Sequence, residues 1–316
     1  MEIKVAKHAG FCFGVKKAIE IAEDVAQNNQ GKTYVYGQLV HNEKVIKDLE
    51  NKGIIFAESL DEIPRGAVTV LRAHGEPGTT YQILEQKSIL KDKNLNDATC
   101  PLVTLVHNVA IKLKQNGYEV MLFGKSNHPE AIGTSYHLRG KDTFIVENPE
   151  DFESVIGHIN KNNFEKVAII SQTTMSVYGY AKLIENINNA LDEKFVEIPL
   201  SMKNLGIKYG FVDTICNPTK QRQSDTDELA KECDIVVVIG GKNSSNSKEL
   251  YAKCKEFGVE SYFIQSEEQL KKEWFDGKEK IGVTAGASTP DYLINEVVDK
   301  TKEIVGVNKI NTEIKI

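Results

Sequence analysis

The chain has 316 residues, enough for two or three domains, and is 41% hydrophobic and 27% charged, the balance of an ordinary globular protein. A formal net charge of −6 argues against a broad nucleic-acid surface, and no apolar run approaches the roughly 18 residues that span a bilayer. The amino terminus lacks the apolar core of a signal peptide, so the expected location is the cytoplasm, where five cysteines, an odd number, are not expected to form a disulfide framework.

Taken in chain order, the elements repeat. The first copy opens on "HAGFCFGVKKAIEIAEDV", which sets Cys12 between Gly10 and Gly14 ahead of a helical pattern. A strand "TYVYG" follows, then "VHNE" with His41, the acidic strand segment "IIFAESLDEI", and "VTVLRAHGEP" with His74. The second copy opens on "NDATCPLVTLVHNVAIKLKQ" with Cys100. It continues through "EVMLFGKSNHPE" with His128 and Glu130, "TFIVENPEDF", and "VAIISQTTMS" with Thr173 and Thr174. The third has "VDTICNPTKQRQSDTDELAKE" with Cys216, "IVVVIGGKNSSNS" with Ser244, Ser245 and Asn246, "SYFIQSEEQL", and "IGVTAGASTP" with Ser288.

The spacing is kept as well as the order. Cys12 to Gly37 is 25 residues, while Cys100 to Gly124 and Cys216 to Gly240 are 24 each. Four residues beyond each glycine comes a polar residue: His41, His128 and Ser244. Gln172 lies 72 residues after Cys100 and Ser288 lies 72 after Cys216; the shorter first copy puts His74 62 after Cys12.

Short apolar strands alternating with helical patterns predict βαβ units on parallel sheets, with ligands bound off the carboxyl edge of the strands. The expected fold class is α/β: three similar parallel-sheet domains arranged with pseudo-threefold symmetry, their functional edges meeting at one centre. The expected boundaries are 13–98, 99–212 and 213–316, the last with a motif-free tail after about residue 300. Residues 1–12 are expected to supply a strand that completes the third domain, since "EIKVAKHAG" precedes its cysteine as "LNDAT" and "FVDTI" precede theirs.

Cys233 and Cys254 have no counterparts in the other copies and are expected to be small buried hydrophobes. Cys12, Cys100 and Cys216 each sit where a helix begins, with Pro101 and Pro218 in first turns, and a helix amino terminus favours a thiolate. Three thiolates suit a soft metal. Zinc with three cysteines and an open position is one option; a [4Fe–4S] cluster with one open iron is the other, and three ligands from separate domains favour the bulkier group.

Helix amino termini, hydroxyls, an amide and imidazoles at the strand ends suit a small phosphorylated or diphosphorylated ligand, and no nucleotide P-loop motif occurs. The adjacent His128 and Glu130 suit a proton relay. The plainer alternatives are that Ser288 caps a helix with Pro290 near its first position, and that the Ser-Ser-Asn cluster does the same. His8, His107, His137 and His158 have no matching positions and are read as ordinary polar residues.

In their order along nearly the whole chain, "GFCFGV", "VHNE", "RAHG", "DATCPLV", "NHPE", "SQTT", "DTICNPT", "KNSSNS" and "TAGASTP" resemble the 4-hydroxy-3-methylbut-2-enyl diphosphate reductases, last enzymes of the non-mevalonate isoprenoid pathway. Phe13 stands where some members carry Ala, and "KHA" where some have Asn-Pro-Arg. The resemblance implies a central [4Fe–4S] cluster on Cys12, Cys100 and Cys216, with an open iron for the substrate hydroxyl. It implies diphosphate binding by His41, His74, Ser244, Ser245, Asn246 and Ser288. It places His128, Thr173 and Thr174 near the substrate and makes Glu130 the proton source. It further implies reductive removal of the hydroxyl to give isopentenyl and dimethylallyl diphosphate, with ferredoxin or flavodoxin as electron donor and neither nucleic acid nor membrane as partner.

Overall fold

The computed structural model describes residues 1–91, 93–201 and 206–306. The tail expected after about residue 300 is helical as far as Val305; its remainder, from 307 on, lies outside the described residues.

Three sheets carry the described chain, and every strand pairing is parallel. The α/β class expected from the sequence is therefore the observed one. In the first copy, α1 (Phe13–Asn28), β2 (Thr33–Tyr36), α2 (Glu43–Asn51), β3 (Ile54–Ala57), β4 (Val68–Leu71), α3 (Gly78–Gln86) and β5 (Leu95–Asp97) give a sheet of order β3-β2-β4-β5. The second runs α4 (Pro101–Gln115), β6 (Glu119–Phe123), α5 (Pro129–Tyr136), β7 (Ile145–Val146), α6 (Phe152–Asn162), β8 (Val167–Ser171), α7 (Val177–Ala190), β9 (Val196–Glu197) and β10 (Tyr209–Phe211), with order β7-β6-β8-β10-β9.

The third runs α8 (Asn217–Glu232), β11 (Ile235–Ile239), α9 (Ser245–Glu256), β12 (Glu260–Ile264), β13 (Lys280–Ala285) and α10 (Asp291–Val305). Its fourth strand is β1 (Glu2–Val5), which pairs with β13 as Glu2↔Lys280 through Val5↔Val283. β1 thus takes beside β13 the place that β5 takes beside β4 and β10 beside β8.

The described chain forms two compact units. One comprises Met1–Lys16, Val40–Asn51 and residues 217–306 and carries the β11 sheet; the other comprises Lys17–Leu39 and Lys52–Cys216 and carries the other two. Among the described residues, no helix is long and apolar enough to cross a membrane.

Alternation along each strand explains the layers. β11, "IVVVI", is buried at every position. Ile235, Val237 and Ile239 face Ile294, Val297 and Val298 of α10, whereas Val236 and Val238 face Leu229 of α8 and Leu250 of α9. A strand covered on both faces must read as a continuous apolar run. The β6–β8 pair is built alike, with Leu122 and Ile170 against α4 and Met121 and Ile169 against α6 and α7.

The strand ends also match. Gly37, Gly124 and Gly240 follow β2, β6 and β11, and each donates its N–H to the last residue of the neighbouring strand, Ala57, Val146 and Ile264, at 2.8, 2.9 and 2.9 Å. The acidic segments form short 3₁₀ turns at Leu60–Glu62, Pro149–Asp151 and Glu267–Gln269.

Glycine is required where α9 meets its sheet. A Cβ on Gly240 or Gly286 would lie 2.1 or 1.9 Å from Ser247 Oγ, and one on Gly241 would lie 2.1 Å from the His41 carbonyl oxygen. Gly286→Ala should therefore cost about 1–3 kcal/mol by overpacking. Exposed Gly157, inside α6 with nothing near its Cβ position, is the control: Gly157→Ala should gain about 0.5–1 kcal/mol. Urea denaturation midpoints check both, and a Gly286→Ala protein as stable as its parent would contradict the packing described.

Candidate functional site

Each of the three matched cysteines is held by the same hydrogen bond. The N–H of Cys12 donates to Ala287 O at 3.3 Å, that of Cys100 to Ala73 O at 2.9 Å and that of Cys216 to Thr173 O at 3.1 Å. The acceptor is each time the second residue beyond a strand, namely β13, β4 and β8. Each cysteine immediately precedes a helix, α1, α4 or α8, and Cys100 occupies the N-cap of α4 without capping it through its thiol. Pro101 lies at the first position of α4 and Pro218 in the first turn of α8.

All five cysteines are described, and no disulfide joins them. Cys12, Cys100 and Cys216 are partly exposed, whereas Cys233 and Cys254 are buried. Burial pushes the Cys233 thiol up to about 11 and the Cys254 thiol up to about 12, so both stay protonated and apolar. The donor set that remains, three accessible thiols at helix starts, fits an iron–sulfur cluster or another soft metal.

Within the unit that carries β11, the loop after β13 gathers one set of candidates. The Ala287 N–H donates to Asn246 Oδ1 at 3.0 Å, so Ala287 bridges Cys12 and Asn246. Ser244 caps α9, accepting from the Ser247 N–H at 3.2 Å. Ser245 is the first residue of α9. Ser244, Asn246 and Ser288 are all buried, and Asn246 Nδ2 has no partner among the described residues. A buried amide donor without an acceptor is costly unless a ligand supplies one. The α9 amino terminus adds backbone N–H groups and the positive end of a dipole.

The plainer reading of Ser288 does not hold here. Ser288 does not cap a helix: α10 begins at Asp291 with Pro290 as its N-cap, and Ser288 Oγ instead donates to His41 O at 3.2 Å. The hydroxyl is drawn away because Thr289 anchors the turn to β11, its Oγ1 donating to Ile239 O at 3.1 Å. Nor is His41 a cap. Asn42 Oδ1 accepts from the N–H groups of Lys44 and Val45, so the imidazole takes no part in capping α2.

Within the other unit a second set is connected. Ala73, which holds Cys100, precedes His74, and the His74 ring meets the His128 ring edge-on at 5.4 Å. His128 caps α5, its Nδ1 accepting from the Glu130 N–H at 3.2 Å, which leaves the proton of the neutral imidazole on Nε2. Glu130 Oε1 accepts from the Thr173 N–H at 2.6 Å and Oε2 from Thr173 Oγ1 at 2.7 Å. The same Thr173 supplies the carbonyl that holds Cys216. Thr174 Oγ1 accepts from Gln172 Nε2 at 2.9 Å. Glu130 is 1% exposed. Burial lifts its carboxyl to about 7, with the two Thr173 hydrogen bonds pulling the other way.

Several supporting residues escaped the sequence reading. Arg222, buried on α8, donates to Gly10 O at 2.5 Å and so braces the backbone two residues before Cys12. Its signal was a helix whose buried side is polar in its first half, Thr219, Arg222, Gln223 and Thr226, before Leu229 and Ala230. Gly10 itself has φ +92° and packs on Ile294, Asp291 and Thr289 at the start of α10. Arg72 and Glu76 close the His74 loop, with Arg72 Nε donating to Glu76 Oε1 at 2.5 Å. The four remaining histidines have local partners. His8 pairs with Asp225 at 3.0 Å, His158 with Glu119 at 3.5 Å, and the rings of His107 and His137 lie 4.7 Å apart.

Comparison with known proteins gives a consistent result. The family model described as LytB protein matches residues 3–302. A 4-hydroxy-3-methylbut-2-enyl diphosphate reductase of Aquifex aeolicus is 38% identical over 307 residues, covering 96% of this chain and 97% of its own. One of Caldanaerobacter subterraneus subsp. tengcongensis is also 38% identical, over 97% of this chain and 98% of its own. The solved structure of the Plasmodium falciparum E-1-hydroxy-2-methyl-but-2-enyl-4-diphosphate reductase superposes with a TM-score of 0.81 at 28% identity, covering 95% of this chain and 88% of that one.

The raised Glu130 carboxyl has a stability signature. The folded protein holds this proton up to about pH 7 while the unfolded chain releases it near 4.5, so folding stability falls as pH rises through that window. The fall is on the order of 3 kcal/mol. Glu130→Gln removes it. Denaturant midpoints measured from about pH 4.5 to 8 should shift in favour of the variant as pH rises to about 7 and then hold level. A difference that does not vary with pH would refute the buried, raised carboxyl.

Proposed function

The chain belongs to the LytB protein family, and from that premise we propose that it reduces 4-hydroxy-3-methylbut-2-enyl diphosphate to isopentenyl and dimethylallyl diphosphate, in the cytoplasm, with Cys12, Cys100 and Cys216 holding a [4Fe–4S] cluster. The threefold recurrence of one cysteine position, before a helix and bonded to the carbonyl two residues past a strand, carries the assignment. Domains with bounds near 13–98, 99–212 and 213–316, the last completed by residues 1–12, belong to the same proposal. When bound, the cluster would supply electrons one at a time and an iron that lacks a protein ligand and acts as a Lewis acid.

The chain's own residues then divide the remaining work. The α9 amino terminus with Ser244, Ser245 and Asn246, together with Ser288, His41 and His74, binds the diphosphate. Asn246 Nδ2 is a donor awaiting an acceptor there. Hydroxide is a poor leaving group, so the departing oxygen must be protonated. Glu130 is suited to this because its carboxyl sits at about 7, close to working pH, and can both give and regain a proton. Thr173, bonded to both Glu130 oxygens, aligns the acid and offers a hydroxyl for relay. His128 accepts the Glu130 N–H and so fixes the start of α5, while Thr174 follows Thr173 beyond the end of β8. The balance is one substrate, two electrons and two protons giving one alkene diphosphate and one water. Ferredoxin or flavodoxin would supply the electrons.

Protein purified without oxygen should be brown and carry iron and sulfide. Cys12→Ser, Cys100→Ser and Cys216→Ser should each lose the colour, while Cys233→Ser and Cys254→Ser keep it. A colourless, zinc-loaded preparation would sink the proposal. Glu130→Gln should keep the cluster and lose turnover by about a hundredfold or more, the usual size of a general-acid contribution. Near-normal turnover would remove Glu130 from that role.

A further inference from the structure

One face beside Cys12 has no part in the chemistry above. In the unit that carries β11, a cleft of about 700 Å³ opens along residues 5–13 and the first turns of α8 and α10, and Cys12 forms part of its wall. The charged residues on that wall are Lys7, Lys16 and Arg222 against one carboxylate, Asp291. This local excess of positive charge lies in a chain of net charge −6. Arg222 is occupied internally, donating to Pro218 O and Gly10 O, and His8 is held by Asp225. Lys7 and Lys16 are exposed, and Lys16 reaches Asp291 only at 4.0 Å.

Phe13 stands on the same wall, 65% exposed, more than any other large hydrophobic side chain among the described residues. An exposed aromatic that shares a wall with two exposed lysines is the composition of a docking anchor, not of a solvated surface. A negatively charged chain repels an acidic partner at long range, so a local basic patch is what would steer one to a single face.

We propose that this face, which carries Phe13, Lys7 and Lys16, docks an acidic one-electron carrier protein, so that electrons enter on the Cys12 side. The inference rests on the reductase reading. Each encounter oxidises the carrier by one electron and reduces the enzyme by one, and two encounters supply one turnover. Encounters of this kind are small and transient, consistent with one aromatic and a few charges.

Flavodoxin is the probe. Its binding to the anaerobic holoenzyme is measured by titration calorimetry at low and moderate salt. Turnover is measured with reduced flavodoxin and, separately, with dithionite-reduced methyl viologen, which needs no docking face. The Lys7→Glu/Lys16→Glu double variant and Phe13→Ala should each weaken flavodoxin binding about tenfold and raise its KM alike, while viologen-driven turnover stays within about twofold. Salt should weaken binding to the parent and have little effect on the double variant. Unchanged flavodoxin affinity in both variants would overturn the proposal, as would an equal fall in flavodoxin- and viologen-driven turnover. Absence of viologen-driven turnover in the parent would sink the reductase reading instead, and the binding measurement would still decide the docking face.

Discussion

A single hydrogen bond, made three times, organises the residues to which chemistry is assigned. Parallel strands joined by right-handed crossovers bring their carboxyl ends to one edge. At that edge the backbone of each third strand leaves the sheet and presents the carbonyl of Ala287, Ala73 or Thr173 to a cysteine N–H. The bond fixes the cysteine backbone, and the following helix fixes its direction. Each acceptor residue then has a second task. Ala287 also bonds to Asn246, Ala73 leads into His74, and Thr173 grips Glu130 through its N–H and its hydroxyl. A shift at any strand end would move a thiol and its neighbouring polar group together.

Burial sorts groups that the sequence leaves equal. Five cysteines share one chemistry, but two lie among apolar side chains and are held protonated, while three remain partly exposed at helix starts. Many glutamates are solvated, whereas Glu130 is enclosed and its carboxyl is raised to about 7. The cost of enclosing it is limited by Thr173, whose two hydrogen bonds favour the ionised form. The outcome is an acid poised between its two states, the condition for moving a proton near neutral pH. Asn246 shows the same logic with a neutral group: its oxygen is satisfied by backbone, and its nitrogen is enclosed without a partner among the described residues.

Much of the fold was legible because its cause is local. A strand covered on both faces must be apolar throughout, so "IVVVI" and its counterparts announce themselves, and a glycine closes each where the chain turns off the sheet. The residues around the candidate site were less legible. Ser-Thr-Pro-Asp is an ordinary helix start, and only the position of Asp291 as the first residue of α10 shows that Ser288 bonds to His41 instead. His41 and Ser244 lie at matching distances from their glycines, yet Asn42 takes over the cap in one case and Ser244 keeps it in the other.

The sequence by itself determined the period of the three copies, the parallel class of the sheets and the matching of three cysteines. These follow from residue type and spacing, which act over a few residues and survive without a partner. Only the tertiary structure decided which groups are enclosed and to what they are bonded. Solvation, hydrogen-bond partners and proton affinity depend on residues distant in the chain, as Glu130 depends on Thr173, Arg222 on Gly10 and Ser247 on two strand-end glycines. No spacing rule encodes such pairings, because they exist only once the strands have brought their ends to a common edge.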